Sequence, residues 1–191
     1  MQAQLNKNKI DFGFRGGLSG TSLSGEIAED IELETTIGFD IFLWSHYAFS
    51  ERFGLQLELG YASKGASIEL QDNVSIYQNI TYNINYAEIP ILTTFNISPK
   101  IRFLIGPSIA VLVDEEVEFT AFDGLVSGQS NTDDIKTFDF LGTTGIQIDL
   151  PFWNGKSSAG IRYNHGLTDI TKSDDTDLKN RSLSINYIYR F

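Results

Sequence analysis

Apolar and polar residues alternate along most of this chain, and no helical period persists for three turns. Alternation with period two puts successive side chains on opposite faces of a strand. The clearest stretch has Phe53, Leu55, Leu57, Leu59 and Tyr61 on one face and Gly54, Gln56, Glu58 and Gly60 on the other. The same reading predicts eight strands. The first spans about 9–18, with Ile10, Phe12, Phe14, Gly16 and Leu18 opposing Asp11, Gly13, Arg15 and Gly17. The next six span about 35–49, 53–70, 74–96, 101–113, 136–150 and 157–167, and the last is 183–191. In that last strand Leu183, Ile185, Tyr187, Tyr189 and Phe191 oppose Ser184, Asn186, Ile188 and Arg190. Pro90 removes a ladder donor and predicts a bulge or local irregularity in the fourth strand.

The connections alternate in kind. Those after strands one, three, five and seven are long, polar and acidic; those after two, four and six are short, such as Ser50-Glu51-Arg52 and Ser98-Pro99-Lys100. This pattern predicts an all-β fold: a closed eight-stranded antiparallel up-and-down transmembrane β-barrel, long loops at one rim and short turns at the other. An even strand number puts both termini on the short-turn side. Residues 1–8 read as an N-terminal extension and 9–191 as a single outer-membrane β-barrel domain. The turn signal Asp123-Gly124 marks a hairpin tip. Hairpins three-four and five-six run on past the membrane, since Ile68, Leu70, Val74, Ile76, Val117 and Phe119 continue the alternation.

The apolar face is bulky and rich in aromatic rings near strand ends. Eight strands leave an interior wide enough only for packed side chains, so that face is assigned to lipid and the polar face to the lumen. The lumen face carries charges, and a confined unpaired charge is costly. Arg15, Arg102 and Arg162 are therefore expected to pair with Glu58, Glu88 and Asp139 as a lumen charge network that plugs the barrel.

Composition narrows the function. No apolar run approaches the length of about 18 residues that a spanning helix needs. Cysteine is absent, which removes disulfides, thiolate metal sites and thiol nucleophiles. The net charge of −11 argues against a nucleic-acid partner. Met1-Gln2-Ala3-Gln4 reads as the start of an exported chain whose signal peptide has been removed.

Tyr86-Ala87-Glu88-Ile89-Pro90-Ile91-Leu92 resembles the central-strand segment of the Bacteroidetes outer-membrane β-barrel family, the porin family or PorT-like proteins. Gly106-Pro107, the run from Ile161 to Ile170 and the closing segment from Asn180 to Phe191 resemble three further motifs of that family, in the same order. The resemblance covers about residues 9–191. It implies an outer-membrane location in a bacterial cell and the eight-stranded architecture, without an activity. Tyr187, Tyr189 and Phe191 are similar to the closing signal read by the barrel-assembly machinery.

Candidate chemistry is sparse. His46 falls on the lumen face near the turn rim and His165 on the lipid face near the loop rim, too far apart to share a site. Ser45 and Ser50 neighbour His46 in sequence, but adjacent strand residues point to opposite faces. No catalytic residue, cofactor or metal site is assigned. Asp114-Glu115-Glu116 and Asp174-Asp175 with Asp177 lack calcium-loop spacing and read as a solvated rim. Glycines 13, 16, 17, 38, 54 and 60 lie inside strands, where they suit curvature and close packing. The expectation is a plugged barrel with a structural or interaction role, an accessory subunit of a larger envelope complex. Its partners would be outer-membrane lipid, the assembly machinery and envelope proteins. The alternatives are a narrow porin-like channel for ions or small solutes and, behind it, a lipid-modifying enzyme.

Overall fold

The structure is a computed structural model and describes residues 10–26, 33–69, 77–121, 126–131, 133–173 and 177–191. Ten strands run in order: β1 (Ile10–Glu26), β2 (Leu33–Glu34), β3 (Thr36–Ala48), β4 (Phe53–Glu69) and β5 (Tyr77–Ser98). Then come β6 (Ile101–Ala121), β7 (Val126–Asn131), β8 (Phe138–Leu150), β9 (Ser157–Gly166) and β10 (Asp177–Arg190). Eight of them, β1, β3, β4, β5, β6, β8, β9 and β10, form a closed antiparallel ring. Each strand pairs with the next one along the chain, and β10 returns to β1. β2 runs along the loop end of β4, and β7 along the loop end of β6.

The seam between first and last strand is continuous from Gly13↔Arg190 to Glu26↔Asp177. Phe191 finishes it: its N–H donates to the Phe12 carbonyl at 2.9 Å. Beside it, Tyr187 and Tyr189 pack against Phe14 and Trp153, with ring centroids 5.8–6.3 Å apart. These rings form an aromatic girdle at the turn rim.

Burial follows the alternation. On β3, Asp40, Phe42, Trp44 and His46 are buried while Ile37, Phe39, Ile41 and Leu43 are exposed. Leu18, Ile37 and Ile185 are 68%, 84% and 71% exposed. In water such a wall would be a large association surface; in lipid it is the favourable one.

Glycine and aromatic residues share the lumen face. A Cβ at Gly13 would lie 2.4 Å from the Trp44 ring, and one at Gly60 would lie 2.5 Å from the Phe42 ring. Both pairs are cross-strand neighbours. The rings lie flat over the neighbouring glycine backbone, which lets a narrow barrel hold large side chains.

Three expectations change. The segment from Ser19 is strand rather than loop, and Ser19, Thr21 and Leu23 line the lumen. Hydroxyl residues on a lumen face mimic the composition of a loop. β10 is likewise longer than its apolar alternation, whereas β6 runs on through Val117 and Phe119 as expected. The bulge is not at Pro90: Leu57↔Ile91 and Gly60↔Glu88 keep one register on either side of it. A bulge lies on β6, where Asn85↔Asp114 is followed by Tyr86↔Leu112, leaving Val113 as the extra residue, and β5 carries two further register shifts, between Tyr77 and Asn79 and between Asn96 and Ser98. The expected extension 1–8, the Asp123-Gly124 turn, Asp174-Asp175, and Leu70, Val74 and Ile76 lie outside the described residues.

Candidate functional site

The lumen is filled by side chains from the turn rim to the loops. At its centre Glu58 takes two of the three arginines of the expected network, Arg15 and Arg162. Arg162 grips it with two hydrogen bonds, Nη2 to Oε1 at 2.6 Å and Nη1 to Oε2 at 2.8 Å. Arg15 donates to Oε2 from Nε at 3.2 Å and from Nη2 at 3.1 Å. Gln56 adds a bond to Oε1 at 2.6 Å. The Nη1 of Arg15 also reaches Asp40 and Asn186, each at 2.6 Å, and its guanidinium lies 4.1 Å from the centroid of the Phe42 ring. Two cations and two carboxylates thus neutralise one another in a buried setting, in planar fork geometry.

The remaining members of the expected network lie elsewhere. Glu88 pairs with Lys64, which itself lies over the Tyr86 ring. Lys64 was missed because alternation fades through Ser63, Gly65 and Ser67, although its parity continues that of Glu58. Asp139 is fully buried and held by neutral donors, Asn180 at 2.8 Å and Thr168 at 3.2 Å. Arg102 does not join the centre. It stands at the turn rim, bonded to Asn96 at 3.1 Å, and makes no ion pair among the described residues. Strand parity assigns a face but not a height, and Arg102 lies one residue past a turn. Around it Asp11, His46, Gln147, Asp149, Lys156 and Arg190 line a small polar vestibule.

Toward the loops the filling becomes apolar. Leu23, Ala66, Ile84, Tyr86, Ala110 and Leu141 project from strands, and Ile135 and Ile170 project from two loops into the same cluster. The loops are pinned to each other. Lys136 N–H donates to the Ile170 carbonyl at 2.7 Å, and Lys172 N–H to the Asp134 carbonyl at 2.8 Å. The β6 bulge contributes directly. Its extra residue turns Glu115 inward, where the carboxylate accepts from the N–H groups of Asp134 (2.7 Å) and Ile135 (3.1 Å). Glu115, expected on a solvated rim, is buried.

Asp169 fastens the second loop. Its Oδ1 accepts from the N–H groups of Thr171 and Leu178, both at 3.0 Å, and from the Thr171 hydroxyl at 2.8 Å. Its Oδ2 meets Lys136 at 2.5 Å. Desolvation alone would raise its pKa, but the Lys136 ammonium and the three other donors hold the carboxyl well below the usual range.

The two histidines lie on opposite faces of the wall. His46 is buried with Nε2 2.9 Å from the Thr94 hydroxyl, and His165 stacks on Tyr163 on the outer wall. Among the described residues no three His, Asp or Glu side chains converge as metal ligands.

A closed eight-stranded ring with an apolar wall and a packed polar interior fits a sequence match over most of the chain. The family described as outer membrane protein beta-barrel domain matches residues 2–172. The chain belongs to that family. As an outer membrane protein beta-barrel domain, it is placed in the bacterial outer membrane. Ail, the attachment invasion locus protein of Yersinia pestis, has a similar structure, with TM-score 0.53 and 14% identity over 97% of this chain and 100% of that one. Neisserial surface protein A, NspA, is similar with TM-score 0.53 and 11% identity over 94% and 97%. At such identities the likeness is one of fold. Among curated proteins no sequence match was found.

Proposed function

We propose that this outer-membrane barrel is plugged and non-catalytic, and that it acts through its hairpins outside the membrane as an accessory subunit binding an envelope protein. The observation that carries this reading is the height of one wall. On β6 the lipid-facing series ends at Val113, and Asp114 to Ala121 continue as strand paired to β5. Eight residues at about 3.3 Å each extend this hairpin about 26 Å along the tilted strand, a rise of about 20 Å beyond the apolar band. Along it lies β7, which pairs with β6 and with no other strand among the described residues. The β7 sequence, Val126-Ser127-Gly128-Gln129-Ser130-Asn131, holds no charge or proline to repel a further strand.

The filled lumen favours this reading over a narrow channel for ions or small solutes, and the burial of His46 and its Thr94 hydroxyl inside that lumen, away from lipid, favours it over a lipid-modifying enzyme. We also read the four family-like motifs as a Bacteroidetes PorT-like branch. Tyr187, Tyr189 and Phe191 on the closing strand serve as the signal read by the assembly machinery. The test is affinity purification from native envelopes with the full chain and with a variant whose β6–β7 hairpin is shortened. A partner that is recovered reproducibly with the first and lost with the second is expected. Equal recovery from both would remove the hairpin as the binding element, and ohmic steps in planar bilayers would transfer the assignment to a channel.

A further inference from the structure

The cations of this acidic chain are unevenly placed. Arg15, Lys64 and Arg162 are buried in the lumen, and Lys136 and Lys172 pair with Asp169 and Asp133 in the loops. On the outer wall near the loops, the cations among the described residues are Lys179 and Arg181, both on β10. Arg181 is exposed, and among the described residues its side chain has no hydrogen bond or ion pair. The register sets His165 of β9 on one side of it and Ser22 of β1 on the other. Lys179, two residues nearer the loops, faces Ser24 and meets Asp177 at 3.3 Å.

Two residues the other way is Leu183, 56% exposed, where the lipid-facing band begins. At about 3.4 Å per residue, the Arg181 Cα stands about 7 Å above Leu183, at headgroup level. The adjoining wall is hollowed. Gly142 and Thr144 leave a shallow apolar groove between Ile105, Pro107 and Tyr163, and His165 closes one end. At the loop end of β6 the outer wall is acidic instead, with Asp114, Glu116 and Glu118.

We infer that the outer wall of β8, β9, β10 and β1 binds one lipid with a phosphorylated headgroup in the loop-side leaflet. The phosphate meets Arg181 and Lys179 with Ser22 and His165 beside it, and an acyl chain lies in the groove. A guanidinium fork matches two phosphate oxygens, and Lys179 adds a point charge.

The test uses the full chain refolded into phosphatidylcholine nanodiscs carrying a small fraction of bisphosphorylated lipid A. Native mass spectrometry counts the lipid A retained per barrel. The wild type is expected to retain one molecule, and the R181Q/K179Q variant to bind it roughly thirtyfold more weakly. A charge-matched variant at the other rim, R52Q/K100Q, is expected to keep wild-type retention. Excess inorganic phosphate is expected not to displace the lipid, and displacement would mean a free-anion site. Equal loss in both variants would reduce the effect to net charge and overturn the inference. So would unchanged retention in R181Q/K179Q. Heat-modified gel mobility checks that each variant is folded.

Discussion

In the middle of the lumen Arg15, Asp40, Glu58 and Arg162 form a balanced ion cluster, and toward the loops Ile84, Tyr86, Leu141, Ile135 and Ile170 pack without charge. Both fillings exclude water from the same narrow cylinder, but they differ in what holds them. Every member of the ion cluster projects from a strand of the closed ring, so the cluster cannot separate unless the ring opens. The apolar cap depends on two loop residues whose backbone is tied by a few hydrogen bonds. Lifting the cap releases the Glu115 and Asp139 carboxylates from their loop donors but opens them to water, so it costs less than separating the ion cluster, which would strand charges in a dry interior. The central seal is fixed and the outer one releasable.

The sharpest way to break this contrast is Glu58→Ala. It leaves two guanidinium groups facing each other and is expected to destabilise the barrel by about 4 kcal/mol in denaturant titration. Replacing Arg15, Asp40, Glu58 and Arg162 together by apolar residues of similar volume is expected to cost far less, because no charge remains unpaired. If that variant were as unstable as Glu58→Ala, the barrel would owe its stability here to packing rather than to charge balance.

Ile170→Ala comes next, at about 3 kcal/mol. The loss should be local. Hydrogen exchange is expected to speed up at the Lys136 and Lys172 amides while the global unfolding midpoint moves little. A matching drop in the midpoint would show that cap and ring unfold as one unit. Glu115→Gln should cost about 2 kcal/mol, read as faster exchange at Asp134 and Ile135, since the replacement cannot accept both N–H groups with a charge.

The smallest effect is that of acid on the second loop. The Asp169 carboxyl is held below its ordinary value, so its contribution is fully present above the unfolded pKa of about 3.9. It is lost only as pH falls through the lower folded value. Protection of the Thr171 and Leu178 amides is therefore expected to persist at pH 4 and to fall in stronger acid. Asp169→Asn should remove that acid step.

Much of the ring was readable from alternation, because a lipid wall and a polar lumen impose opposite chemistry on adjacent residues. Arg15, Glu58 and Arg162 could be placed on one face this way, though Arg102, on the same face, stands at a different level. Period-two counting carries no information on level, since strand stagger is set by the turns and the shear of the closed sheet. Glu115 was unreadable for another reason: the extra residue at Val113 reverses the alternation beyond it, and nothing in Val111-Leu112-Val113-Asp114 announces the reversal. Ile135 and Ile170 are single apolar residues in polar segments, with no period to show that they turn inward.

The seam closed by Phe191 and Phe12 has a consequence for the order of events in folding. Its paired residues lie up to 177 positions apart, as Gly13 and Arg190 do. Every other pairing around the ring joins strands far nearer in the chain and closes a much shorter loop, at smaller entropic cost. The seam has no such local route, so the hairpins can zip in sequence while the ring remains an open sheet with two unsatisfied edges. Entry into lipid and closure of the seam are therefore coupled steps. Loss of β10 would remove both the last strand and the cylinder itself.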